Sequence, residues 1–298
     1  MWRRAAFGMC PRRPLVENTA GRASAQDGAA RFLREIQRRA GGDETRFPFN
    51  VPTIRTLEAL RFDSAVTFFV GENGSGKSTL LEGIAAAAHL PAIGSADLQA
   101  DVTLGAQLEL AHALRLVWSR KTPRGFFLRA EDFFGFAKRL STMRGEFLER
   151  IRQLEVEYAD RSAFAKGLAM GPARASLADM ERRYGVDLDA NSHGQSFLRL
   201  FRSRFVPDGL YLLDEPEAPL SPQSQLGLMA MIQDMLAEGA QFIIATHSPI
   251  LLAYPGATIY SFDQAPATVV PYDELDHVVL TREFLSAPER YLRALRDG

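Results

Sequence analysis

The sequence has one cysteine and no long apolar run. Cys10 stands alone among 298 residues, which excludes an internal disulfide or a cysteine-based metal cluster and favours a reducing compartment. No stretch reaches the roughly 18 consecutive apolar residues that a membrane-spanning helix requires. With 46% hydrophobic residues, the chain can still bury a large core. We therefore expect a soluble, cytoplasmic protein that does not insert into a membrane.

Charge is unevenly distributed along the chain, although the net charge is only −1. Residues 1–46 carry ten arginines against five acids, and residues 120–183 carry 14 lysines and arginines against nine acids. Residues 207–298 carry four arginines against 13 acids. The two basic regions are suited to nucleic acid or to an acidic protein partner, and a solvated helical face explains so mild an excess equally well.

Apolar runs of strand length recur along residues 31–298, which we predict to form one α/β domain. Their continuous hydrophobicity is typical of parallel strands that are covered on both faces. The runs are Ala65–Val70, Leu210–Leu213, Gln241–Ala245 and Thr258–Phe262. Residues 1–30 mix arginine pairs with small residues and show no apolar period, so we predict a mobile N-terminal extension there.

The middle of the chain has helical periodicity. Apolar residues at steps of four, three and four share one face of a helix. They are Phe147, Ile151, Leu154 and Tyr158. We predict a helical insertion at about residues 132–190, too short for a long coiled-coil arm because the heptad pattern does not persist. Further on, Ser286 and Glu289 match a capping box that opens a final helix.

A glycine-rich segment follows the first of these apolar runs. Residues 71–79 read GENGSGKST, which fits G-x-x-x-x-G-K-[ST] between a strand and a helix. Glycines let successive backbone N–H groups converge on phosphate oxygens, and the helix N-terminus adds its positive dipole end. We expect Lys77 to reach the β and γ phosphates and Ser78 to bind Mg²⁺. The predicted nucleotide-binding residues are Gly71, Glu72, Asn73, Gly74, Ser75, Gly76, Lys77, Ser78 and Thr79.

Two carboxylates end a second apolar run. Asp214 and Glu215 directly follow Leu210–Leu213. Asp214 is placed to join the Mg²⁺ shell, and Glu215 is placed to orient or deprotonate the attacking water. Adjacent acids at a strand end are often only solvated, but the phosphate loop makes the catalytic interpretation the better one.

These motifs resemble those of ABC ATPases. The segment 214–222 is similar to the Walker B motif and D-loop of that family, although its D-loop lacks the usual acid. The segment 245–249 is similar to the H-loop, whose histidine, here His247, contacts the γ-phosphate and the attacking water. The segment 191–196 resembles a degenerate ABC signature, in which Asn replaces Leu and His replaces the first Gly. Its residues expected to hold the γ-phosphate of a second subunit are Ser192, His193, Gly194 and Gln195.

The signature segment also has a physical interpretation of its own. It opens a predicted helix near Gln195 whose stripe is Phe197, Phe201 and Phe205. A helix N-terminus is an anion-binding site, and the phosphate loop already provides one for the chain's own nucleotide. A second such terminus is suited to a nucleotide bound by another subunit, or it is a helix start without a ligand.

The resemblance covers about residues 46–298 and is similar to small bacterial AAA family ATPases related to SMC and RecF-type heads. It implies an ABC-ATPase-like P-loop NTPase fold with a mainly parallel sheet, with ATP and Mg²⁺ as cofactors. It also implies catalytic roles for Lys77, Glu215 and His247, and a homodimer that encloses two ATP molecules.

Two parts of the family pattern have no clear counterpart. Gln99 and Gln107 precede the strand that a Q-loop glutamine should follow. The segment 126–131 presents Glu131 at that place instead, and Glu131 is therefore a further candidate Mg²⁺ ligand. Three residues are equally suited to contact adenine, and none is singled out. They are Phe49, Arg55 and Phe62.

The predicted function is Mg-dependent ATP hydrolysis in DNA maintenance, repair or defence. The alternative is the ATP-binding subunit of an ABC transporter that acts with a separate membrane protein, against which the altered signature and the missing glutamine count. A P-loop kinase would not be expected to carry Asp214, Glu215 and His247 together. A GTPase needs an N-K-x-D motif, which the sequence lacks. A switch that binds ATP without hydrolysing it would lack the base that Glu215 provides. The physiological DNA or protein partner stays open.

Overall fold

The computed structural model describes residues 32–93, 104–184 and 193–294, so the predicted extension at 1–30 lies outside the described residues. The strands are β1 (Leu33–Arg38), β2 (Ala59–Arg61), β3 (Val66–Val70), β4 (Ala92–Ile93), β5 (Leu114–Trp118), β6 (Gly125–Arg129), β7 (Leu210–Asp214), β8 (Gln241–Ala245), β9 (Thr258–Ser261) and β10 (Thr268–Val269). The helices are α1 (Pro52–Arg55), α2 (Lys77–Ala87), α3 (Leu104–Ala113), α4 (Ala130–Glu157), α5 (Ala163–Tyr184), α6 (His193–Arg204), α7 (Pro222–Ala237), α8 (Pro249–Leu252), α9 (Asp276–Ser286) and α10 (Pro288–Ala294). A 3₁₀ turn spans Tyr272–Glu274.

Seven strands form the main sheet, in the order β10-β9-β3-β8-β7-β6-β4. The strands from β9 to β4 pair in parallel, and β10 alone of the seven pairs antiparallel. Every residue of β3, β7 and β8 is buried, as expected for continuous apolar strands covered on both faces. The predicted α/β fold with a mainly parallel sheet is confirmed. Because parallel strands end at the same edge, the segments that follow β3, β7 and β8 meet there.

The two faces of the sheet have separate cores. Along β7, Tyr211 and Leu213 belong to one apolar cluster, and Leu210 and Leu212 belong to the other. This alternation follows from the two-residue period of a strand. The first cluster contains the predicted aromatic stripe, in which Phe197 and Phe201 of α6 are fully buried and Phe205, just after the helix, is partly buried.

Phe201 gives the first testable prediction. Its ring packs against Phe197 at 4.6 Å, Phe205 at 5.2 Å and Phe126 at 6.2 Å between centroids. We expect Phe201→Ala to lower the free energy of unfolding by about 3–5 kcal/mol, because it removes a buried ring and leaves a cavity. Urea denaturation measures the change. The control is Leu226→Ala on α7, where the side chain is 58% exposed and the expected effect is within about 0.5 kcal/mol. Equal losses in the two variants would contradict the assigned core.

A small antiparallel sheet, in the order β2-β1-β5, covers the phosphate-loop helix. Its residues share an apolar cluster with Leu81 and Ile84 of α2. The buried side chain of Gln241 connects β1 to the main sheet, since its amide oxygen accepts from the N–H groups of Phe32 and Leu33 and its amide nitrogen donates to the Leu33 carbonyl. The small sheet therefore fixes the helix that begins at the phosphate loop.

Helices α4 and α5 pack against each other as a hairpin. They fall within the region predicted as a helical insertion at about 132–190, whose bounds as a separate unit stay a prediction. On the predicted apolar face, Leu154 is buried and Phe147, Ile151 and Tyr158 are half-buried. None of the helices in the described ranges is long and apolar enough to cross a membrane.

The predicted capping box at Ser286 is wrong. Ser286 is the last residue of α9, and its hydroxyl donates back to the carbonyl of Arg282. The next helix begins at Pro288, a residue that suits the first turn because it has no N–H to leave unpaired. The hydroxyl of Ser286 thus bonds a carbonyl at the end of one helix and does not cap the start of the next. The spacing of Ser286 and Glu289 in the sequence does not distinguish these two roles.

Candidate functional site

The glycine-rich loop runs from the end of β3 to the start of α2. Gly71, Gly74 and Gly76 have φ angles of +148°, +82° and +102°, which residues with a side chain rarely adopt. A Cβ at Gly76 would also lie 2.6 Å from the hydroxyl oxygen of Thr53 on α1. The loop can therefore keep this shape only with glycine at these positions.

Lys77 is the first residue of α2 and is only 4% exposed. Its ammonium donates to the carbonyl oxygens of Gly71 at 2.6 Å and Glu72 at 2.9 Å. Burial lowers the pKa of Lys77, and the nearby charges of Glu215 and Asp214 oppose that shift. The two carbonyls hold the ammonium inside the loop, as the predicted phosphate contact requires.

Ser78 and Asp214 meet across the gap between α2 and β7. The Ser78 hydroxyl donates to one oxygen of the Asp214 carboxylate at 3.0 Å. Burial raises the pKa of Asp214 to about 6, and the hydrogen bond from Ser78 and the charge of Arg129 oppose this shift. Arg129 lies opposite Asp214 in the pairing of β6 with β7, and its Nε is 3.7 Å from the second carboxylate oxygen. The same guanidinium contacts Glu82 of α2.

This pair of oxygens fits a Mg²⁺ ion. Mg²⁺ prefers hard oxygen ligands and is commonly held by one or two protein groups together with phosphates and waters. In the described ranges, no group of three or more His, Cys, Asp or Glu side chains could hold a metal ion by itself. Glu131 is exposed in the first turn of α4, and no described contact joins it to Ser78 or Asp214. Its role as a ligand stays a prediction.

Glu215 is held in an unusual backbone conformation, with φ at +50°. Its N–H donates to the carbonyl of Ala245 at 2.9 Å, and its own carbonyl accepts from Ala218 at 3.0 Å. Such strain persists only where the surroundings fix it, and it is frequent at functional sites. The side chain lines a cavity of about 550 Å³ together with Glu72, Asn73 and His247.

His247 lies opposite Glu215 in this cavity, with 3.9 Å between its Nε2 and a carboxylate oxygen of Glu215. Burial and the charge of Lys77 lower the pKa of His247, so its neutral form is favoured. Its backbone N–H donates to Glu217 at 2.7 Å. Burial raises the pKa of Glu217, and this bond opposes the shift. Within the described residues, Nε2 of His247 is buried and has no hydrogen-bond partner.

The signature segment lies only partly within the described residues. Ser192 lies outside them, and His193 begins α6 without a described side chain. Gly194 is buried, and a Cβ there would lie 3.2 Å from the carbonyl oxygen of Pro219 in the D-loop. Gln195 is exposed. The start of α6 therefore packs on the D-loop, and the role of this segment towards a second subunit stays a prediction.

Two of the three adenine candidates are buried. Phe49 and Phe62 are 4% and 1% exposed and belong to the core around α2, and a contact of either ring with adenine stays a prediction. Arg55 is exposed at the end of α1. Of the glutamines considered for the Q-loop, Gln99 lies outside the described residues, and Gln107 on α3 bonds Glu82. Aromatic identity alone did not distinguish a core ring from a stacking ring.

Several site residues were missed by sequence reasoning. Arg129 ends β6 at the position after which a Q-loop residue was sought, and Glu217 positions the H-loop. Asp263 follows β9, and its carboxylate accepts from the N–H of Glu72 in the phosphate loop at 2.8 Å. Arg129 and Asp263 stand at or just after the carboxyl end of a parallel strand, which is the signal that could have found them.

Two family models match separate parts of the chain. The model described as "AAA domain, putative AbiEii toxin, Type IV TA system" matches residues 176–253, which contain Asp214, Glu215 and His247. The model described as "AAA domain" matches residues 49–90, which contain the phosphate loop. The matched segments therefore supply both halves of the site.

Individual proteins with similar sequences or structures share at most a quarter of their residues with this chain in the three examples that follow. The cobalt import ATP-binding protein CbiO of Salmonella typhimurium is 25% identical over 249 residues, which are 79% of this chain and 84% of that protein. The Smc head domain of Pyrococcus furiosus, solved with the C-terminal domain of ScpA, is 13% identical with a TM-score of 0.42, over 89% of this chain and 99% of that one. CbiO1 of Clostridium perfringens is 15% identical with a TM-score of 0.38, over 90% and 99%.

The matched AAA domains and the site geometry agree. A phosphate loop, a buried aspartate, a strained glutamate and a histidine converge at one edge of the parallel sheet. The chain is therefore an ATP-hydrolysing P-loop enzyme, two parts of which match models of AAA domains.

Proposed function

We propose that this enzyme hydrolyses MgATP as an ATP-sandwiched homodimer in the cytoplasm, and that it acts in DNA maintenance, repair or defence. One observation carries the catalytic part of the proposal: Ser78 and Asp214 lie 3.0 Å apart, and Glu215 and His247 face each other at 3.9 Å on the adjoining cavity. Ser78 and Asp214 can thus bind a metal ion, and Glu215 and His247 can accept or donate a proton, next to the same phosphate loop.

The chain's own residues divide the work of hydrolysis. Lys77 and the loop N–H groups hold the phosphates, and Ser78 and Asp214 would hold Mg²⁺, which neutralises phosphate charge when bound. Glu215 accepts the proton of the attacking water, because its carboxylate projects into the cavity from a fixed backbone. His247 offers its unbonded Nε2 to the γ-phosphate or to that water.

The packing of α6 supports the dimer. Its first turn is held against the D-loop through the close approach of Gly194 to Pro219, while Gln195 stays exposed. The N-terminus of this helix, beside the D-loop, is suited to bind the phosphates of a second subunit's ATP, because it carries the positive end of the helix dipole.

The proposed process rests on charge and on one of the family models. Four basic residues on the α4–α5 hairpin are exposed and form no ion pair within the described residues. They are Lys138, Arg139, Arg150 and Arg161. Exposed basic side chains on one helical hairpin suit a phosphate backbone. The description of the first model names a toxin of a toxin–antitoxin system, which supports a defence role.

A transporter subunit is the second candidate. The similarity to CbiO, a cobalt import ATP-binding protein, supports it, and that match covers most of both chains. Against it, β6 is followed by Ala130, Glu131 and Asp132, without the glutamine by which a transporter cassette communicates with its membrane partner.

The test is steady-state ATP hydrolysis with and without double-stranded DNA, at about 50 mM and about 200 mM salt. We expect DNA to raise the rate several-fold at the lower salt concentration, and the stimulation to weaken at the higher one. Stimulation should be lost in Arg150→Glu/Arg161→Glu, which reverses the charge of the hairpin. Arg290→Glu on α10 is the matched control, because it reverses an exposed charge away from the hairpin.

The outcomes separate the two candidates. A rate that DNA leaves unchanged at both salt concentrations would contradict the DNA proposal while leaving the ATPase intact. Reconstitution of that ATPase with a membrane protein would then be the next measurement. Equal loss of stimulation in the hairpin variant and in Arg290→Glu would show that DNA does not contact the hairpin specifically.

A further inference from the structure

The segment that follows β9 runs beside the start of the phosphate loop. Val70 and Ser261 are paired in the parallel ladder of β3 and β9, and the N–H of Phe262 donates to the carbonyl of Val70 at 2.7 Å. The ring of Phe262 is buried and packs on Phe69 at 5.0 Å between centroids. Asp263, the next residue, therefore lies beside the phosphate loop because the hydrogen-bonded sheet fixes the position of this segment.

The carboxylate of Asp263 is fixed at both oxygens. One oxygen accepts from the N–H of Glu72 at 2.8 Å, and the other accepts from the hydroxyl of Ser261 at 3.0 Å. The same hydroxyl accepts from the N–H of Asp263 at 3.3 Å, which closes a small ring. Although Asp263 is exposed, its orientation towards the loop is determined by these three bonds.

The bond to Glu72 reaches Lys77 through a single peptide group. The carbonyl of Gly71 and the N–H of Glu72 belong to one planar trans peptide, so they point in opposite directions. Lys77 donates to that carbonyl at 2.6 Å, while Asp263 accepts from that N–H at 2.8 Å. The peptide thus lies between a positive and a negative charge, and hydrogen bonds in such a chain strengthen each other.

Gly71 makes this arrangement sterically feasible. Its φ is +148°, and a Cβ there would lie 3.1 Å from the Asp263 carboxylate oxygen and 3.1 Å from the Cβ of Phe262. The phosphate-loop motif requires a glycine at this position for the turn. In this chain the same glycine also lets the carboxylate after β9 approach the loop.

We infer that Asp263 is a positioning residue for ATP binding, which fixes the peptide between Gly71 and Glu72 and through it the ammonium of Lys77. The inference concerns the ATP site alone and stands whether or not DNA stimulates hydrolysis.

The sign of the effect distinguishes positioning from simple electrostatics. Removing a negative charge near bound phosphates should tighten ATP binding if Asp263 acts only through its charge. Removing a charge-assisted hydrogen bond that orients the loop should weaken ATP binding instead. We expect Asp263→Ala to raise both the Kd for ATP and KM roughly tenfold, while kcat changes much less, because the catalytic groups after β7 and β8 are untouched.

The experiment measures the Kd by displacement of a fluorescent ATP analogue, together with kcat, KM and the melting temperature. Asp263→Asn keeps an acceptor oxygen and should recover most of the affinity. Ser261→Ala should weaken binding in the same direction and to a smaller extent, since it frees the carboxylate. Glu274→Ala is the matched control, because it removes an exposed negative charge from the following 3₁₀ turn.

Each outcome bears on the inference. A raised Kd in Asp263→Ala, recovery in Asp263→Asn and an unchanged Kd in Glu274→Ala would support it. An unchanged or lowered Kd in Asp263→Ala would overturn it, as would an equal change in Glu274→Ala. If Asp263→Ala fails to fold, Ser261→Ala decides, and a wild-type Kd in that variant overturns the inference.

Discussion

Glu215→Gln should bind ATP with nearly wild-type affinity and hydrolyse it roughly 10²–10⁴ times more slowly, which is the usual contribution of a general base. The amide keeps the size and hydrogen-bonding capacity of the side chain but cannot accept the proton of the attacking water. Since the backbone bonds of Glu215 to Ala245 and Ala218 are unchanged, the fold of the loop is retained. With hydrolysis stalled, we also expect ATP-bound dimers to accumulate, measured by light scattering after gel filtration with MgATP.

Glu217→Gln is the informative comparison for this variant. Glu217 follows the same strand two residues later, but it accepts from the N–H of His247 and positions the H-loop. An amide oxygen can still accept that bond, so we expect a loss of kcat that is less than about tenfold. A wild-type rate of hydrolysis in Glu215→Gln would show that Glu215 is not the base. A loss of kcat in Glu217→Gln that is larger than the loss in Glu215→Gln would show the same.

The motifs that sequence reasoning identified are those whose chemistry is local. The phosphate loop needs glycines, a lysine and a hydroxyl at fixed spacing, and all of them lie within nine residues of the chain. Asp214 and His247 were identifiable because each stands at or just after an apolar run. Apolar runs of this kind form the centre of a parallel sheet, and their carboxyl ends are where ligands bind. The aromatic stripe of α6 was predictable for a similar reason, since it needs only a helical period.

The remaining features depend on pairing between distant parts of the chain. The small sheet joins β1 to β5, with Leu33 opposite Trp118, and its third strand is only three residues long. No local period indicates such a pairing. Phe49 and Phe62 were considered for adenine because they are aromatic, but the small sheet and α2 bury both rings. Burial of this kind follows from tertiary packing, which single-residue chemistry does not reveal.

Arg129 is an intermediate case. It ends the run Gly125–Arg129, whose central residues are buried, so the rule that identified Asp214 applies to it as well. An arginine was not sought there because the family pattern has a glutamine. The structure places its guanidinium between Glu82 and Asp214, where it compensates one partly buried and one buried carboxylate. The family pattern predicts a glutamine after this strand, and the strand itself ends in a positive charge.

Lys77→Ala should weaken ATP binding by roughly 100-fold or more, because it removes the one ammonium that the loop holds against its own carbonyls, and charge-assisted hydrogen bonds to phosphate are among the strongest that side chains make. Isothermal titration with a slowly hydrolysed ATP analogue measures the affinity. Hydrolysis should fall to background in the same variant. The melting temperature should change little, since burial already disfavours the charged form of this side chain.

Lys77→Arg tests whether position matters as well as charge. The ammonium of Lys77 fits between the carbonyls of Gly71 and Glu72, and the side chain is 4% exposed, so a planar guanidinium cannot take its place without moving the loop. We therefore expect Lys77→Arg to lose most of the affinity although the charge is retained. Wild-type binding in Lys77→Ala would show that phosphate is held elsewhere. Wild-type binding in Lys77→Arg alone would show that the loop adapts to the cation and that the geometry around Gly71 does not determine affinity.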